Sequence, residues 1–257
     1  MLTKMYLTNF MSFKERTAFD FTASKYSILE KTNVSGGTLK GALLIGPNAS
    51  GKSNVLKGLA FIIKMIKGEG ASFFSYRCFF SKNPITILEY EFLFDGKEVK
   101  YIIEYNMETK SISENLKIDD ITVLQRNGNK GELRLGDNIT TDDQLDSQTL
   151  FLRTASFNTG RFPQEPTLRQ LMDFLQNSYI IDGYNMRATY GNAITKYAEE
   201  YGVDKINKYL DEFNYDFVVE YGSESEGAGL KVIVGSEKKA VFLKRKHQCT
   251  RGTNKIK

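Results

Sequence analysis

Eight consecutive residues in the first quarter of the chain match a phosphate-binding pattern. Residues 46–53 are Gly-Pro-Asn-Ala-Ser-Gly-Lys-Ser, which has the form G-x-x-x-x-G-K-[ST] of the P-loop. The apolar residues 43–45 precede it and predict a short buried strand, and the segment after it has apolar residues at helical spacing to about Lys67. A glycine loop between strand and helix is the setting in which this pattern holds a nucleotide, so we expect an α/β fold.

The residue types of the loop explain how it holds an anion. A helix N-terminus carries unpaired backbone N–H groups and a partial positive charge, which attract phosphate. Gly46 and Gly51 let the backbone curl closely around the anion. Lys52 is expected to reach the β- and γ-phosphates, and Ser53 to place its hydroxyl on Mg²⁺. The alternative is a glycine-containing surface turn, which the flanking strand and helix disfavour.

Composition excludes several classes of protein. The chain has 257 residues, 41% of them hydrophobic and 26% charged, as in a water-soluble globular protein of one large domain or somewhat more. No apolar run approaches the length of a membrane span, and the N-terminus is too short and polar for a signal peptide. Cys78 and Cys249 lie far apart, without metal-ligand spacing. We therefore expect two free thiols, a cytoplasmic location and no membrane partner.

The positive charge of the chain is concentrated at its end. Residues 236–257 contain eight basic residues and one acid, a charge of +7, so the net charge of +4 leaves residues 1–235 at −3. Such a tail is either solvated or contacts nucleic acid.

Alternating apolar residues predict strands on both sides of the P-loop. The predicted strands of the first half are residues 1–8, 17–21, 85–94, 99–105, 121–126 and 131–135, with hairpin turns at Asp95-Gly96 and Asn127-Gly128. Residues 31–40 and 136–148 are polar and predict loops.

The second half combines helices with further strands. Residues 167–175 and 191–213 have helical periodicity, and we predict that they form a helical insert over about 163–213. Residues 217–221, 230–234 and 240–243 predict strands. The whole pattern lacks the regular strand–helix alternation of a doubly wound fold.

Two motifs together resemble a known family. Residues 7–13, Leu-Thr-Asn-Phe-Met-Ser-Phe, resemble the opening L-x-N-F-x-S-F of SMC-, RecF- and OLD-type ATPases. Residues 46–54 match the P-loop of that group, G-x-N-x-S-G-K-S-N, including Asn48 and Asn54, which a generic P-loop does not require. The subgroup that the chain most resembles is the bacterial AAA family ATPases with an ABC-type head, many of them in phage-defence loci.

The resemblance implies a fold, cofactors and partners. The expected fold is an α/β P-loop NTPase with an ABC-ATPase-like mixed sheet, a β-hairpin layer and the helical insert. The implied cofactors are ATP and Mg²⁺, and residues 12–14 are expected near the adenine. The implied partners are a second head in a head-to-head homodimer of the full-length protein, and DNA or a partner nuclease. The nucleotide-binding residues by resemblance are Gly46, Pro47, Asn48, Ala49, Ser50, Gly51, Lys52, Ser53 and Asn54, with Ser53 as the metal ligand.

The second half of the family pattern has no convincing match. An ABC-type head needs a signature motif, a Walker B strand ending in Asp-Glu and a switch histidine, so the catalytic residues stay unassigned. Asp182 follows an apolar run but no Glu follows it, which indicates a strand ending in a turn. Residues 34–38 precede the P-loop and predict a flexible loop rather than a signature. Residues 224–229 predict a hairpin turn, and His247 an exposed tail residue.

These observations lead to a hypothesis about the extent of the chain. We expect residues 1–246 to be the N-terminal lobe of an ABC-type ATPase, with the C-terminal lobe missing through truncation or a frameshift, and residues 247–257 to be an irregular basic tail. Two alternatives stay open. One is a non-catalytic, nucleotide-gated binding module for DNA or a partner nuclease. The other is a divergent P-loop kinase or GTPase, although Asn207 to Asp211 contain one residue too many for the guanine-reading N-K-x-D.

Overall fold

The computed structural model describes most of the chain. The described residues are 1–24, 30–69, 72–157, 165–182, 187–189, 197–198, 200–212, 217–221, 230–234 and 239–243. The chain divides into two compact units, residues 1–178 and residues 179–257. The P-loop lies in the first unit.

The first unit is built on an eight-stranded sheet. A separate small hairpin consists of β3 (Val34–Ser35) and β4 (Thr38–Leu39). The order in the large sheet is β10-β9-β8-β7-β6-β5-β1-β2, and all its neighbours pair antiparallel. Its strands are β1 (Leu2–Thr8), β2 (Thr17–Asp20), β5 (Ile85–Phe94), β6 (Lys97–Asn106), β7 (Ser111–Ile118), β8 (Ile121–Asn127), β9 (Lys130–Leu135) and β10 (Asn138–Asp142).

Short turns explain why β5 to β10 pair in sequence order. Asp95 and Gly96 both have positive φ in the turn between β5 and β6, and Asp119 and Asp120 do so between β7 and β8. Such turns match the twist of the strands that they join. Along β7 the buried and half-buried residues alternate strictly, which places one face of the sheet against the core and the other towards solvent.

The first unit has five helices in its described residues, and all but the first contribute buried apolar side chains to the core that lies against the sheet. They are the short α1 (Glu30–Asn33), α2 (Lys52–Lys67), a 3₁₀ helix (Phe73–Tyr76), α3 (Phe151–Phe157) and α4 (Pro166–Asn177). Helix α2 lies close to β1 because Gly58 has no side chain; a Cβ there would stand 2.9 Å from Leu7 Cδ1. The Tyr90 hydroxyl donates to the Gly58 carbonyl at 2.7 Å. The P-loop helix is thereby fixed to the sheet.

A buried polar cluster joins β6, β7 and β8 to the start of α3. The Glu114 carboxylate accepts hydrogen bonds from the Tyr101 hydroxyl at 2.5 Å, from the Phe151 amide at 2.7 Å and from Arg126 at 3.2 Å. Burial raises the pKa of Glu114, and these donors partly offset the effect. Arg126 also donates to the carbonyl oxygen of Thr149 at 2.6 Å. The loop before α3 is therefore held by charge-assisted hydrogen bonds.

The second unit contains a three-stranded antiparallel sheet and a helix. Helix α5 (Val203–Glu212) packs on the first strand, and Asn207 forms hydrogen bonds with both the amide and the carbonyl of Val219, at 2.7 and 2.9 Å. A separate hairpin pairs β11 (Ile180–Asp182) with β12 (Arg187–Thr189). The sheet consists of β13 (Phe217–Tyr221), β14 (Leu230–Val234) and β15 (Lys239–Leu243).

Several predictions about the elements are wrong in detail. The expected mixed sheet is absent from the described residues, since every described strand pair is antiparallel. Residues 136–148 contain β10, because Gly136 and Asp137 turn the chain back onto β9. The predicted loop 31–40, with its signature-like residues 34–38, contains the β3–β4 hairpin. Strand β7 was not predicted.

Other predictions agree with the structure or are not tested by it. Residues 180–182 form a strand, as expected for the segment that imitates Walker B. The two main helices of the predicted insert lie in different compact units, and the extent of the domain stays a prediction. Residues 224–229, His247, Cys249 and the tail 247–257 lie outside the described residues.

Candidate phosphate-binding site

The P-loop has a curled backbone between residues 47 and 51. Residues 48 and 49 form a turn, and the loop bends at Pro47, Ser50 and Gly51 before α2 begins at Lys52. Ala49 and Gly51 have φ values of 65° and 93°, in the left-handed region. This conformation is uncommon for an alanine, and it indicates that the surrounding structure holds the backbone in place. Left-handed residues in such loops turn successive amides towards one point.

Lys52 lies inside the curl of its own loop. Its Nζ donates to the carbonyl oxygens of Gly46 at 2.7 Å and Pro47 at 2.6 Å, and stands 3.4 Å from Ser50 Oγ. A Cβ on Gly46 would stand 3.0 Å from the same Ser50 Oγ. The ammonium group thus lies where the loop closes. On phosphate binding, the ammonium group would replace its hydrogen bonds to these carbonyl oxygens with hydrogen bonds to phosphate oxygens.

The remaining predicted residues lie at the start of α2. Gly51 occupies the N-cap without a side-chain hydrogen bond, so the first amides of this sixteen-residue helix are not capped by their own loop's side chains. Ser53 is exposed in the first turn. An exposed hydroxyl beside the first helical amides fits the Mg²⁺ ligand that a P-loop serine supplies. The loop and helix start therefore fit nucleotide phosphate and Mg²⁺, which would add charge neutralisation of the phosphates.

Asn48 and Asn54, the two residues beyond the generic pattern, have different positions. Asn48 lies in the exposed turn of the loop. Asn54 points away from the loop, and its Nδ2 donates to Ser12 Oγ at 2.9 Å. The structure thereby joins the P-loop to the motif of residues 7–13, which the sequence related only by resemblance. The placement of residues 12–14 near an adenine stays a prediction.

The predicted buried strand before the P-loop is wrong for the described structure. Residues 41–46 belong to no strand or helix, and Leu43 and Ile45 are 83% and 84% exposed. No described strand lies beside them to take up their backbone groups, so an apolar sequence alone does not make them a strand. An open cavity of about 500 Å³ separates this segment from α2, and its lining includes Leu43, Leu44, Leu56, Lys52 and Ser53.

Two sequences in the second unit resemble motifs of nucleotide-binding proteins. Asn207 is the first residue of the sequence that resembles N-K-x-D. Its side chain forms hydrogen bonds with the backbone amide and carbonyl of Val219. The side chain of Asp182 is not described, although its backbone pairs with Arg187 in the β11–β12 hairpin. The structure therefore assigns no catalytic carboxylate.

Comparison with known proteins gives one family match. Residues 42–162 match the family model described as "AAA domain, putative AbiEii toxin, Type IV TA system". The matched segment begins just before the P-loop and runs through α2, the sheet from β5 to β10, and α3. The match supports an AAA-family ATPase, as the sequence predicted.

No curated protein matches the chain. None of the helices in the described ranges is both long enough and apolar enough to traverse a lipid bilayer.

Proposed function

We propose that the chain is the ATP- and Mg²⁺-binding part of an ABC-type ATPase head, intracellular and acting in a phage-defence, toxin–antitoxin or DNA-maintenance system. The observation that carries the proposal is the curled P-loop with the Lys52 ammonium at its centre, 2.6 Å from the Pro47 carbonyl oxygen. The family match over residues 42–162 supports the same chemistry.

Each residue of the loop has a proposed role in binding. The backbone from Gly46 to Gly51 surrounds the β- and γ-phosphates, and Lys52 supplies a positive charge to them. Ser53 offers its hydroxyl to Mg²⁺, which neutralises the phosphate charge. Residues 12–14 are proposed to lie near the adenine.

Binding and hydrolysis are separate tasks for such a site. Hydrolysis requires a group that orients water against the γ-phosphate, and no described residue fills that role. We propose that the chain by itself binds ATP with little turnover. The Walker B carboxylate would come from a second lobe of the same head, and the signature motif from the opposite head of a head-to-head dimer. The exposed apolar segment of Leu43 and Ile45 supports a covering partner at this place.

The nucleotide preference of the purified chain tests this proposal. We expect Mg²⁺-ATP to bind and GTP to bind at least about tenfold more weakly, because the one candidate guanine-reading asparagine is occupied by backbone. Leaving out Mg²⁺ should weaken ATP binding, and Ser53→Ala should remove most of that Mg²⁺ dependence. Calorimetric titration measures all of these. Tighter binding of GTP than of ATP would instead favour the divergent GTPase.

A second candidate function rests on an exposed aromatic loop in the first unit. Phe79 and Phe80 are 82% and 80% exposed, with their ring centroids 5.6 Å apart and perpendicular. Residues 72–83 include Arg77 and Lys82 and no acid. Exposed rings beside cations are the usual platform for stacking the bases of single-stranded nucleic acid. This loop supports a nucleotide-gated module that contacts DNA.

Replacing both phenylalanines tests the second candidate. The double variant Phe79→Ser/Phe80→Ser is expected to lose about tenfold in affinity for a single-stranded oligonucleotide, as stacking of one or two bases would give. Fluorescence anisotropy with and without Mg²⁺-ATP measures the affinity. The double variant Ile121→Ser/Ile139→Ser is the matched control, since these two apolar side chains are also exposed but have no ring on which a base could stack. Equal binding by the double variant and the wild type would remove nucleic acid from the proposal.

A further inference from the structure

Residues 9–14 form a tight hairpin with an unusual backbone. The amides of Phe10 and Phe13 each donate to the other's carbonyl, at 2.9 and 2.8 Å, and the Asn9 amide donates to Lys14 at 3.2 Å. Asn9 and Met11 both have positive φ, at 51° and 52°. Two left-handed residues other than glycine within three positions persist only where the surroundings fix them.

The hairpin is anchored to the core on several sides. Phe10 is fully buried and stacks on Tyr76 with ring centroids 5.4 Å apart. The Met11 amide donates to the Tyr76 carbonyl at 2.6 Å. The buried side-chain amide of Asn9 donates to the carbonyl oxygens of Asn83 and Ile85, at 2.7 and 2.9 Å. The hairpin is therefore rigidly held against the core rather than a free loop.

The tip of this hairpin contacts the P-loop at the point where the loop becomes a helix. Ser12 Oγ accepts the hydrogen bond from Asn54 Nδ2 at 2.9 Å. A Cβ on Gly51 would stand 3.0 Å from Ser12 Oγ and 3.3 Å from Phe13 Cζ. The amide of Asn54 itself donates to the Gly51 carbonyl at 2.9 Å, in the first turn of α2. The hairpin thus packs against Gly51 and Asn54, which lie at the junction between the phosphate loop and α2.

We propose that Ser12 and Asn54 are a positioning pair for nucleotide phosphate. In this role the pair acts through the loop rather than by contacting the phosphates. Asn54 ties the first turn of α2 to the rigid hairpin, and this fixes the loop from Gly46 to Gly51 in its curled shape before a phosphate arrives. Preorganisation of this kind strengthens binding because the free loop has less conformational entropy to lose. The inference rests on the proposed nucleotide site and names a further pair of residues that acts on it.

The proposal explains two sequence features that the phosphate chemistry leaves open. A P-loop needs no asparagine after its serine, and Asn54 has a defined partner outside the loop. Gly51 is needed for its left-handed φ of 93° and also because any side chain would press on Ser12 and Phe13. Serine at position 12 is short enough to let the hairpin approach the glycine and still offers an acceptor.

A double-mutant cycle tests the pair. The variants are Ser12→Ala, Asn54→Ala and the two combined, with Ser12→Thr as the conservative variant that keeps the hydroxyl. Each alanine variant is expected to bind Mg²⁺-ATP about three- to tenfold more weakly, as loss of one hydrogen bond gives. The double variant should be no weaker than the worse single variant, and Ser12→Thr should recover most of the affinity. Ser75→Ala is the control, as an exposed serine near the hairpin.

Hydrogen exchange without nucleotide gives an independent readout. In both alanine variants the amides of residues 46–56 should exchange several-fold faster, while those of β6 and β7 stay unchanged. Unchanged exchange, or binding losses that simply add in the double variant, would overturn the inference. Failure of the proposed function has a different signature, namely equal ATP titrations for the wild type and Lys52→Ala. Faster exchange with that result would make the pair a structural brace only and would also overturn the inference.

Discussion

Replacing Lys52 with alanine is expected to weaken Mg²⁺-ATP binding about a hundredfold or more. The Lys52 ammonium lies within the loop, bonded only to carbonyl oxygens and near a hydroxyl of its own segment. A phosphate in the loop would replace these weak acceptors with charged oxygens, and each charge-assisted hydrogen bond contributes about 1.5–3 kcal/mol. Removing the ammonium removes two such bonds and leaves the phosphate charge without its nearest cation. Titration of the purified variant with Mg²⁺-ATP measures the loss.

Lys57→Ala is the matched control for this experiment. Lys57 is exposed on the same helix, five positions further along, and lies outside the loop. The Lys57→Ala substitution removes the same charge from α2. Equal losses of ATP affinity in the two variants would therefore indicate a general electrostatic effect instead of a phosphate contact. Because Lys52 contacts only exposed loop groups, its variant should unfold at nearly the wild-type temperature. Unchanged ATP binding by Lys52→Ala would contradict the proposed function.

Arg126→Leu is expected to destabilise the first unit by about 3–5 kcal/mol. The Arg126 and Glu114 side chains are almost fully buried, with 1% and 0% of their areas exposed. Removing one partner of such a pair leaves the other as an uncompensated buried charge, which is the costly case. The variant also leaves the Thr149 and Gly128 carbonyls without their donor. Urea unfolding, followed by circular dichroism, measures the change in the free energy of unfolding.

The pH dependence of the same variant gives a second check. Burial already raises the pKa of Glu114, and the positive charge of Arg126 acts against that rise. Without Arg126 the folded-state pKa should rise further above the unfolded value. A raised folded pKa gives stability at low pH that is lost as the pH increases through the folded pKa. The loss in the free energy of unfolding caused by Arg126→Leu should therefore be smaller at about pH 5 than at about pH 8.

Arg134→Leu is the control for the buried arginine. Arg134 and Glu132 both lie on β9, and they form an ion pair whose side chains are 55% and 34% exposed. Surface pairs of this kind contribute at most about 1 kcal/mol. A similar loss in both arginine variants would contradict the argument from burial.

The sequence predicted those features of the fold that depend on neighbouring residues. The hairpin at Asp95-Gly96 and the helix after the P-loop both form as expected. Strand β7 was missed, although its apolar residues alternate, because Glu114 occupies an inward position and interrupts the apolar pattern. The carboxylate is tolerated there because Arg126, which lies on the neighbouring strand β8, is paired directly opposite it. A pattern within one strand does not contain that information.

In the candidate site too, some features depend on neighbouring residues and others on contacts between separate segments. The residues of the P-loop and its helix could be named from the sequence, since phosphate binding needs glycine, lysine and serine at fixed spacing. The contact between Ser12 and Asn54 could not, because the two residues lie forty-two positions apart and meet only through the packing of Phe10 and α2. The exposure of residues 43–45 was likewise unpredictable, since an apolar run becomes a strand only where another strand meets it.

The order of residues along the chain therefore specified the loop and its helix, and its motifs resemble the family whose model matches residues 42–162. A helix N-terminus, two glycines and a lysine act locally, and their spacing along the chain is enough to specify them. Tertiary structure alone decided what supports the loop, which polar groups are buried together and which apolar residues stay exposed. Those outcomes depend on which distant segments the antiparallel sheet brings into contact, and no short stretch of sequence records that.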